Sequence, residues 1–183
     1  EKKNIKGTEL SKKILGIVGF GNVGVRLSNL VKGFDMKILV NSKSLESRKS
    51  EYPHVENSSF DDLVSKCDIL SFHCKAAADG KPMLTKEHMK KMKPTSYIIN
   101  AARGNIVDEN DLNDALNEGL IAGAAVDVFS KEPSKENVLF NNPKAVLTPH
   151  VAASTAEASI VVAEMVANQI SDFLLNGKKL NTV

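Results

Sequence analysis

The sequence carries a cation, two carboxylates and an imidazole, each close to the end of an apolar run. Arg103 follows "SYIINAA", Asp127 and Glu132 lie in and just after "AGAAVDVF", and His150 ends "AVLTPH". Ligands of open α/β sheets bind at the carboxyl ends of the strands, so parallel strands here would bring these groups to one edge. A guanidinium can grip a carboxylate, and an imidazole can exchange a proton with a carbonyl oxygen. The set predicts a carbonyl-reducing site.

A glycine-rich segment, "GFGNVGVRL" at 19–27, could bind nucleotide phosphates. Gly19, Gly21 and Gly24 follow a predicted strand and open a predicted helix, which is the context of a dinucleotide-binding turn. The first glycine permits the tight turn, the second lets the backbone approach a pyrophosphate, and the third lets helix pack on strand. The amides of Asn22 and Val23 would point at phosphate oxygens, aided by the helix dipole. The alternative is a close-packed turn that binds nothing.

The elements that must position these residues alternate along the chain. Apolar runs predict strands at 13–18, 36–41, 68–74, 96–102, 122–129 and 145–150. Helices are predicted at 22–34, with Val23, Leu27, Leu30 and Val31 on one face, and at 60–67, 85–92, 109–119 and 154–175. Ser59 and Asp108 are expected to cap helices, and Gly119 and Gly177 to end them. The alternation predicts an α/β fold, a doubly wound parallel sheet of the Rossmann type.

Composition excludes several classes of function. The chain has 183 residues, 42% hydrophobic and 25% charged, as expected of one ordinary domain. A net charge of +2 without a cationic tail argues against nucleic acid or a membrane as partner, and no apolar stretch is expected to span a membrane. Cys67 and Cys74 lack metal-ligand spacing, so we expect no metal site, reduced thiols and a cytoplasmic protein.

Together these segments resemble the cofactor-binding domain of the D-isomer-specific 2-hydroxyacid dehydrogenases. The resemblance runs from "GTELSKKILGIVGFGNVG" through "NAARGNIVD", "VDVFSKEP" and "LTPHVAAST" to the closing "LNTV". Within the family, "HVAASTAEA" is most similar to the 3-phosphoglycerate dehydrogenases. The resemblance implies an enzyme that transfers a hydride between NAD, with NADP as an alternative, and a small 2-hydroxy or 2-keto acid.

The resemblance also implies roles for single residues. Arg103 would bind the substrate carboxylate through two parallel bonds. His150 would be the general acid in keto-acid reduction and the base in reverse, with Glu132 orienting its ring and favouring the imidazolium. Asp127 would lie by the nicotinamide carboxamide. The same pocket would be lined near Cys74, Ala101, Ala102, Arg103, His150, Val151, Ala152 and Ala153.

Each catalytic candidate has a structural alternative. Arg103 could be a surface cation at a strand end, and Glu132, beside Pro133, could be a solvated loop acid. His150 alone is more often a structural histidine. Only the ordered set of all three favours catalysis.

The sequence departs from the family pattern in two ways that affect function. The resemblance implies about a hundred further residues on the amino side. We therefore expect 1–183 to be the dinucleotide-binding domain of a larger enzyme, lacking the amino-terminal part of a discontinuous substrate domain and inactive in isolation. Asn41 stands where NAD-preferring members carry an acid, and Ser42 and Lys43 follow it. These residues could hold a 2′-phosphate, so weak discrimination between NAD and NADP is expected.

Three functions remain open on the sequence. The first is 3-phosphoglycerate/3-phosphohydroxypyruvate chemistry in serine biosynthesis, the second a glyoxylate or hydroxypyruvate reductase, and the third a dinucleotide-sensing, corepressor-like interaction protein. A homodimer is also expected, through the helix that follows Ser154. Its apolar surface carries Ile160, Val161, Val162, Met165 and Val166.

Overall fold

The computed structural model describes residues 7–180. Its strands are β1 (Ile14–Val18), β2 (Lys37–Asn41), β3 (Val55–Asn57), β4 (Ile69–Phe72), β5 (Tyr97–Asn100), β6 (Gly123–Val126) and β7 (Ala145–Leu147). Its α-helices are α1 (Asn22–Leu30), α2 (Phe60–Lys66), α3 (Lys86–Met89), α4 (Glu109–Glu118) and α5 (Ala156–Asn176). Short 3₁₀ helices occupy Val31–Phe34, Lys43–Glu51 and Gly104–Ile106.

The strands form one parallel sheet in the order β3-β2-β1-β4-β5-β6-β7. The chain winds from β1 to one edge, returns to place β4 beside β1, and continues to the other edge. The prediction of a doubly wound α/β sheet is confirmed. Val18 pairs with both Asn41 and Phe72, so the ends of β2, β1 and β4 meet where the winding reverses. This reversal is where such sheets bind ligands.

The core lies on both faces of the sheet. Ile17 of β1 packs in one cluster with Val40, whereas Val18 packs in another with Leu70 and Phe72. Successive residues of a strand point to opposite faces, so two buried clusters require two covered faces. Burial of the strands on both faces explains the continuous apolar runs in the sequence.

The predicted apolar face of the helix at 22–34 is confirmed only in part, because Leu27 and Val31 pack against the core cluster of Ile17 and Val40 but Val23 and Leu30 do not. Val23 and Leu30 are both 63% exposed, whereas the small residues Gly24 and Ser28 are buried. A Cβ added to Gly24 would lie 2.3 Å from the carbonyl oxygen of Gly19. Only glycine allows this close approach at position 24, and Leu27 packs against the core beside it.

Other boundaries also differ from the predictions. Strand β3 and the 3₁₀ helix at Lys43–Glu51 were not predicted, because their sequence is polar and lacks periodicity. The helix predicted at 85–92 is a single short turn, α3. The predicted caps Ser59 and Asp108 are confirmed, since each accepts a hydrogen bond from the amide three residues on. Gly119 and Gly177 end their helices with φ of 72° and 62°, as predicted.

The chain divides into two compact units, one up to Thr148 and one from Pro149 onward. The second unit is built on α5, which Thr155 caps by accepting a hydrogen bond from the amide of Ala158. The expectation that no apolar stretch reaches membrane-spanning length is wrong, because α5, with 21 residues, is long and apolar enough by length and composition.

Candidate dinucleotide site and catalytic residues

The turn between β1 and α1 is fixed by its neighbours on both sides. Gly19 adopts a φ of +93°, and its amide donates to the carbonyl oxygen of Asn41 at 3.0 Å. A Cβ added there would lie 2.5 Å from the carbonyl oxygen of His73. A positive φ and a close approach to backbone both exclude other residue types at this position. The turn is therefore held between β2 and β4.

The start of α1 is open. Gly21 is the N-cap residue, no side chain caps the helix, and its first turn holds no acidic residue. Gly21, Asn22 and Val23 are exposed, and a Cβ added to Gly21 would meet no atom within 4 Å. By contrast α2, α4 and α5 are each capped by a side-chain oxygen. The first amides of a helix attract anions, so this end fits a pyrophosphate.

An open polar cleft of about 510 Å³ lies beyond the end of β2. It is lined by the predicted cofactor residues Asn41, Ser42 and Lys43 together with Glu46, Asn57, Ser58 and Ser59. The side-chain amide of Asn41 donates to the carbonyl oxygen of Ser58 at 2.9 Å. Sequence reasoning missed Glu46, which accepts a hydrogen bond from Asn57, because the 3₁₀ helix and β3 that place them were not predicted.

Arg103 lies on a loop held by one buried side chain. Asn100, at the end of β5, is 2% exposed, donates to the carbonyl oxygen of Arg103 at 3.0 Å and accepts from the amide of Ala102 at 3.2 Å. Arg103 itself is exposed, and one guanidinium nitrogen donates to the carbonyl oxygen of Ala102 at 2.6 Å. Sequence reasoning also missed Asn100, although a polar residue ending an apolar run is a signal.

Asp127 and Glu132 follow β6, the neighbour of β5. Asp127 is 6% exposed, its amide donates to the carbonyl oxygen of Asn100 at 2.9 Å, and its carboxylate accepts from the hydroxyl of Thr148 at 2.5 Å. The exposed Glu132 accepts from the amide of Phe129 at 2.9 Å. The ends of β5 and β6 thus bring Arg103 and Asp127 onto neighbouring loops.

The two thiols pack in the fold rather than forming a disulfide. Cys67 and Cys74 are both free. Burial raises the pKa of Cys67 to about 12 and raises the pKa of Cys74. Cys74 lies beside the glycine turn, since a Cβ added to Gly19 would be 2.9 Å from that of Cys74. The Cys74 thiol is therefore protonated at neutral pH and packs beside the glycine turn, and the lining of the cofactor pocket near Cys74 stays a prediction.

His150 belongs to the second unit. It is exposed and adopts a φ of 55°, and Val151, Ala152 and Ala153 follow it in the segment before α5. Its role toward Glu132 and Arg103 stays a prediction. Among residues 7–180, no group of three or more His, Cys, Asp or Glu residues is placed to hold a metal ion.

Comparison with known proteins identifies the family. The model of the D-isomer specific 2-hydroxyacid dehydrogenase NAD binding domain matches residues 1–152. The chain is 38% identical over 175 residues to a D-3-phosphoglycerate dehydrogenase of Synechocystis, covering 96% of this chain and 32% of the relative. It is 40% identical over 167 residues to a glyoxylate reductase of Thermococcus litoralis, covering 91% of this chain and 50% of the relative.

The fold also matches solved structures. An acyclic imino acid reductase in complex with NADPH and D-Arg superposes with a TM-score of 0.86 at 28% identity, over 100% of this chain and 59% of the other. The chain spans half or less of the length of the two curated relatives named above. With an open glycine turn at the reversal of a doubly wound sheet, and a domain model matching most of its length, the chain belongs to the D-isomer specific 2-hydroxyacid dehydrogenase family, as its NAD-binding domain.

Proposed function

We propose that the chain is the dinucleotide-binding domain of a larger enzyme that interconverts D-2-hydroxy acids and 2-keto acids with NAD(H). The observation that carries the proposal is the open start of α1, which fits a pyrophosphate at the reversal of the sheet. Family membership supports the reaction class. We propose further that the substrate domain is built from segments outside residues 1–183, because the curated relatives are at least twice as long as the part that this chain matches.

In this function the bound cofactor supplies or accepts the hydride. The chain's own residues position the acid and move the proton. Arg103 would grip the substrate carboxylate, and its backbone, held by Asn100, supports a fixed geometry. His150 would give a proton to the carbonyl oxygen during reduction and take it back in the reverse direction, with Glu132 as its partner.

For the substrate we propose 3-phosphoglycerate and 3-phosphohydroxypyruvate, in serine biosynthesis. The similarity to D-3-phosphoglycerate dehydrogenases supports this choice. The similar glyoxylate reductases make glyoxylate or hydroxypyruvate the second candidate. A corepressor-like, dinucleotide-sensing protein is the third, and it would bind the cofactor without turning over either acid.

The isolated 183-residue chain is expected to bind NADH and to catalyse nothing. The glycine turn is complete within the chain, whereas the proposed substrate cleft needs residues outside it. Calorimetric titration should show one NADH site, and assays with 3-phosphohydroxypyruvate and glyoxylate should stay flat. The longer protein should reduce one of them. Turnover by the 183-residue chain, or no NADH binding, would contradict the proposal.

We expect NADH and NADPH to bind within about tenfold of each other, or ~1.4 kcal/mol. The polar cleft after β2 holds an ammonium at Lys43 that favours a 2′-phosphate and a carboxylate at Glu46 that opposes one. Lys43→Ala should weaken NADPH binding about tenfold and leave NADH binding unchanged. The control is Lys49→Ala, which lies on the same 3₁₀ helix but outside the cleft lining. Asn41→Asp should also weaken NADPH, but its carboxylate would face the Ser58 carbonyl, so its stability must be measured too. A hundredfold NADH preference that Lys43→Ala leaves unchanged would show that this cleft does not select the cofactor.

Two further expectations stay proposals. We propose that the protein is cytoplasmic, which its two free thiols support.

We also propose a homodimer in which a second copy covers the apolar surface of α5. There Ile160, Val161, Val162, Met165 and Val166 are each more than half exposed, and sedimentation velocity would reveal the dimer.

A further inference from the structure

The segment from Phe129 to Asn137, here called the 129–137 loop, carries Glu132. It leaves the sheet after β6, and Ser130 and residues 131–133 are exposed. An exposed loop of this kind needs an anchor if it is to hold a carboxylate in one place.

A single carboxylate fastens both ends of the 129–137 loop. Glu109, the first residue of α4, accepts from the amide of Ser130 at 2.7 Å through one oxygen. Its other oxygen accepts from the hydroxyl of Ser130 at 2.9 Å and from the side-chain amide of Asn137 at 2.8 Å. Hydrogen bonds to an ionised acceptor are about twice as strong as neutral ones. Glu109 is half-buried, and its bond from Asn137 is part-buried whereas the two from Ser130 are exposed.

The same stretch of chain touches the loop a second time. A Cβ added to Gly104 would lie 1.9 Å from the carbonyl group of Phe129 and 2.4 Å from the amide nitrogen of Ser130. The backbone after Arg103 therefore packs directly on the start of the 129–137 loop. Arg103, Gly104 and Glu109 lie within seven consecutive residues, so one short segment carries the proposed substrate cation, this contact and the carboxylate anchor.

We propose that Glu109 is a positioning residue for the catalytic site, because it fixes the 129–137 loop, and with it Glu132, relative to Arg103. The inference rests on the proposed function, in which Glu132 is the partner of the catalytic histidine. Glu109 touches neither substrate nor cofactor in this role. Misplacement of a catalytic group by about 1 Å can cost on the order of a hundredfold in rate.

The test uses the longer enzyme with E109A and E109Q. Glutamine keeps an acceptor for the Ser130 amide but turns an NH₂ group toward Asn137, so E109Q should be intermediate. For E109A we expect kcat of keto-acid reduction to fall about 10- to 100-fold. The Kd for NADH should change less than twofold. The alkaline limb of the pH–rate profile for reduction should move to lower pH, because a displaced Glu132 no longer favours the protonated His150 that acts as the acid. Hydrogen exchange at Ser130 and through the 129–137 loop should rise, with the sheet unchanged.

Asp114→Ala is the matched control. Asp114 lies on the same helix and pairs with Lys86, which also pairs with Glu118, so its loss should leave kinetics and loop exchange at wild-type values. A folded E109A with wild-type kcat and pH profile would overturn the positioning role. An E109A whose hydrogen exchange rises uniformly along the chain, and whose kcat falls only as far as its lower Tm explains, would overturn it too. If E109A does not fold, E109Q decides by the same readouts. Lack of NADH binding by the wild type would contradict the proposed function instead, and loop exchange would still report whether Glu109 holds the loop.

Discussion

Gly21→Val is expected to abolish measurable NADH binding, raising Kd at least about a hundredfold (~2.7 kcal/mol), while leaving the melting temperature nearly unchanged. Gly21 has a φ of −83°, which any residue adopts, and an added Cβ meets no atom within 4 Å. The new side chain would therefore be accommodated by the fold. It would occupy the space at the open start of α1 into which we place the pyrophosphate. Calorimetry with NADH, beside a thermal melt, measures both effects.

Two further glycines give this experiment its controls. Gly24→Ala should destabilise the fold by about 1–3 kcal/mol, because its Cβ would lie 2.3 Å from the carbonyl oxygen of Gly19. Gly33 lies in the 3₁₀ helix after α1, and a Cβ added there also meets open space. Gly33→Val should therefore change neither the stability nor NADH binding. Wild-type NADH affinity in Gly21→Val would show that the phosphates bind elsewhere.

Arg103→Lys in the longer enzyme is expected to lower kcat/KM for the keto acid about a hundredfold, chiefly through KM. A guanidinium offers two parallel donors to a carboxylate, whereas an ammonium is a single point of charge. The backbone at this position is held by Asn100, so the exchange should remove the fork without moving the loop. Steady-state kinetics and NADH titration separate the two effects, and NADH affinity should stay within about twofold.

Arg26→Lys is the control for Arg103→Lys. Arg26 is exposed on α1, so the same chemical change there should leave kcat/KM at its wild-type value. An unchanged KM for the keto acid in Arg103→Lys would favour the structural alternative, in which Arg103 is a surface cation at a strand end.

The sequence predicted what depends on local signals. Apolar runs and helical periodicity predicted six of the sheet's strands and their alternation with helices, and hence the doubly wound fold. The caps Ser59 and Asp108 and the stops Gly119 and Gly177 lie within a few residues of the helices they bound. The glycine turn was readable for the same reason, because its strand, three glycines and helix are contiguous.

The sequence failed where a structure depends on partners far along the chain. Strand β3 is polar and exists because it pairs with β2, and the polar cleft forms only once β3 is in place. The buried side of α1 was predicted only in part, because close approach to the turn after β1, rather than hydrophobicity, selects Gly24 there. Neither feature leaves a periodic pattern.

The sequence by itself thus determined the fold class, the family and the glycine turn, while the tertiary structure decided how the proposed catalytic loops are held. Asn100 supports Arg103 through local bonds, but from a buried position that only the completed sheet creates. The hydrogen bonds that Glu109 accepts from Ser130 and Asn137 span 21 and 28 residues. Such bonds form only when packing brings distant segments together, so residue type and spacing along the chain do not predict them.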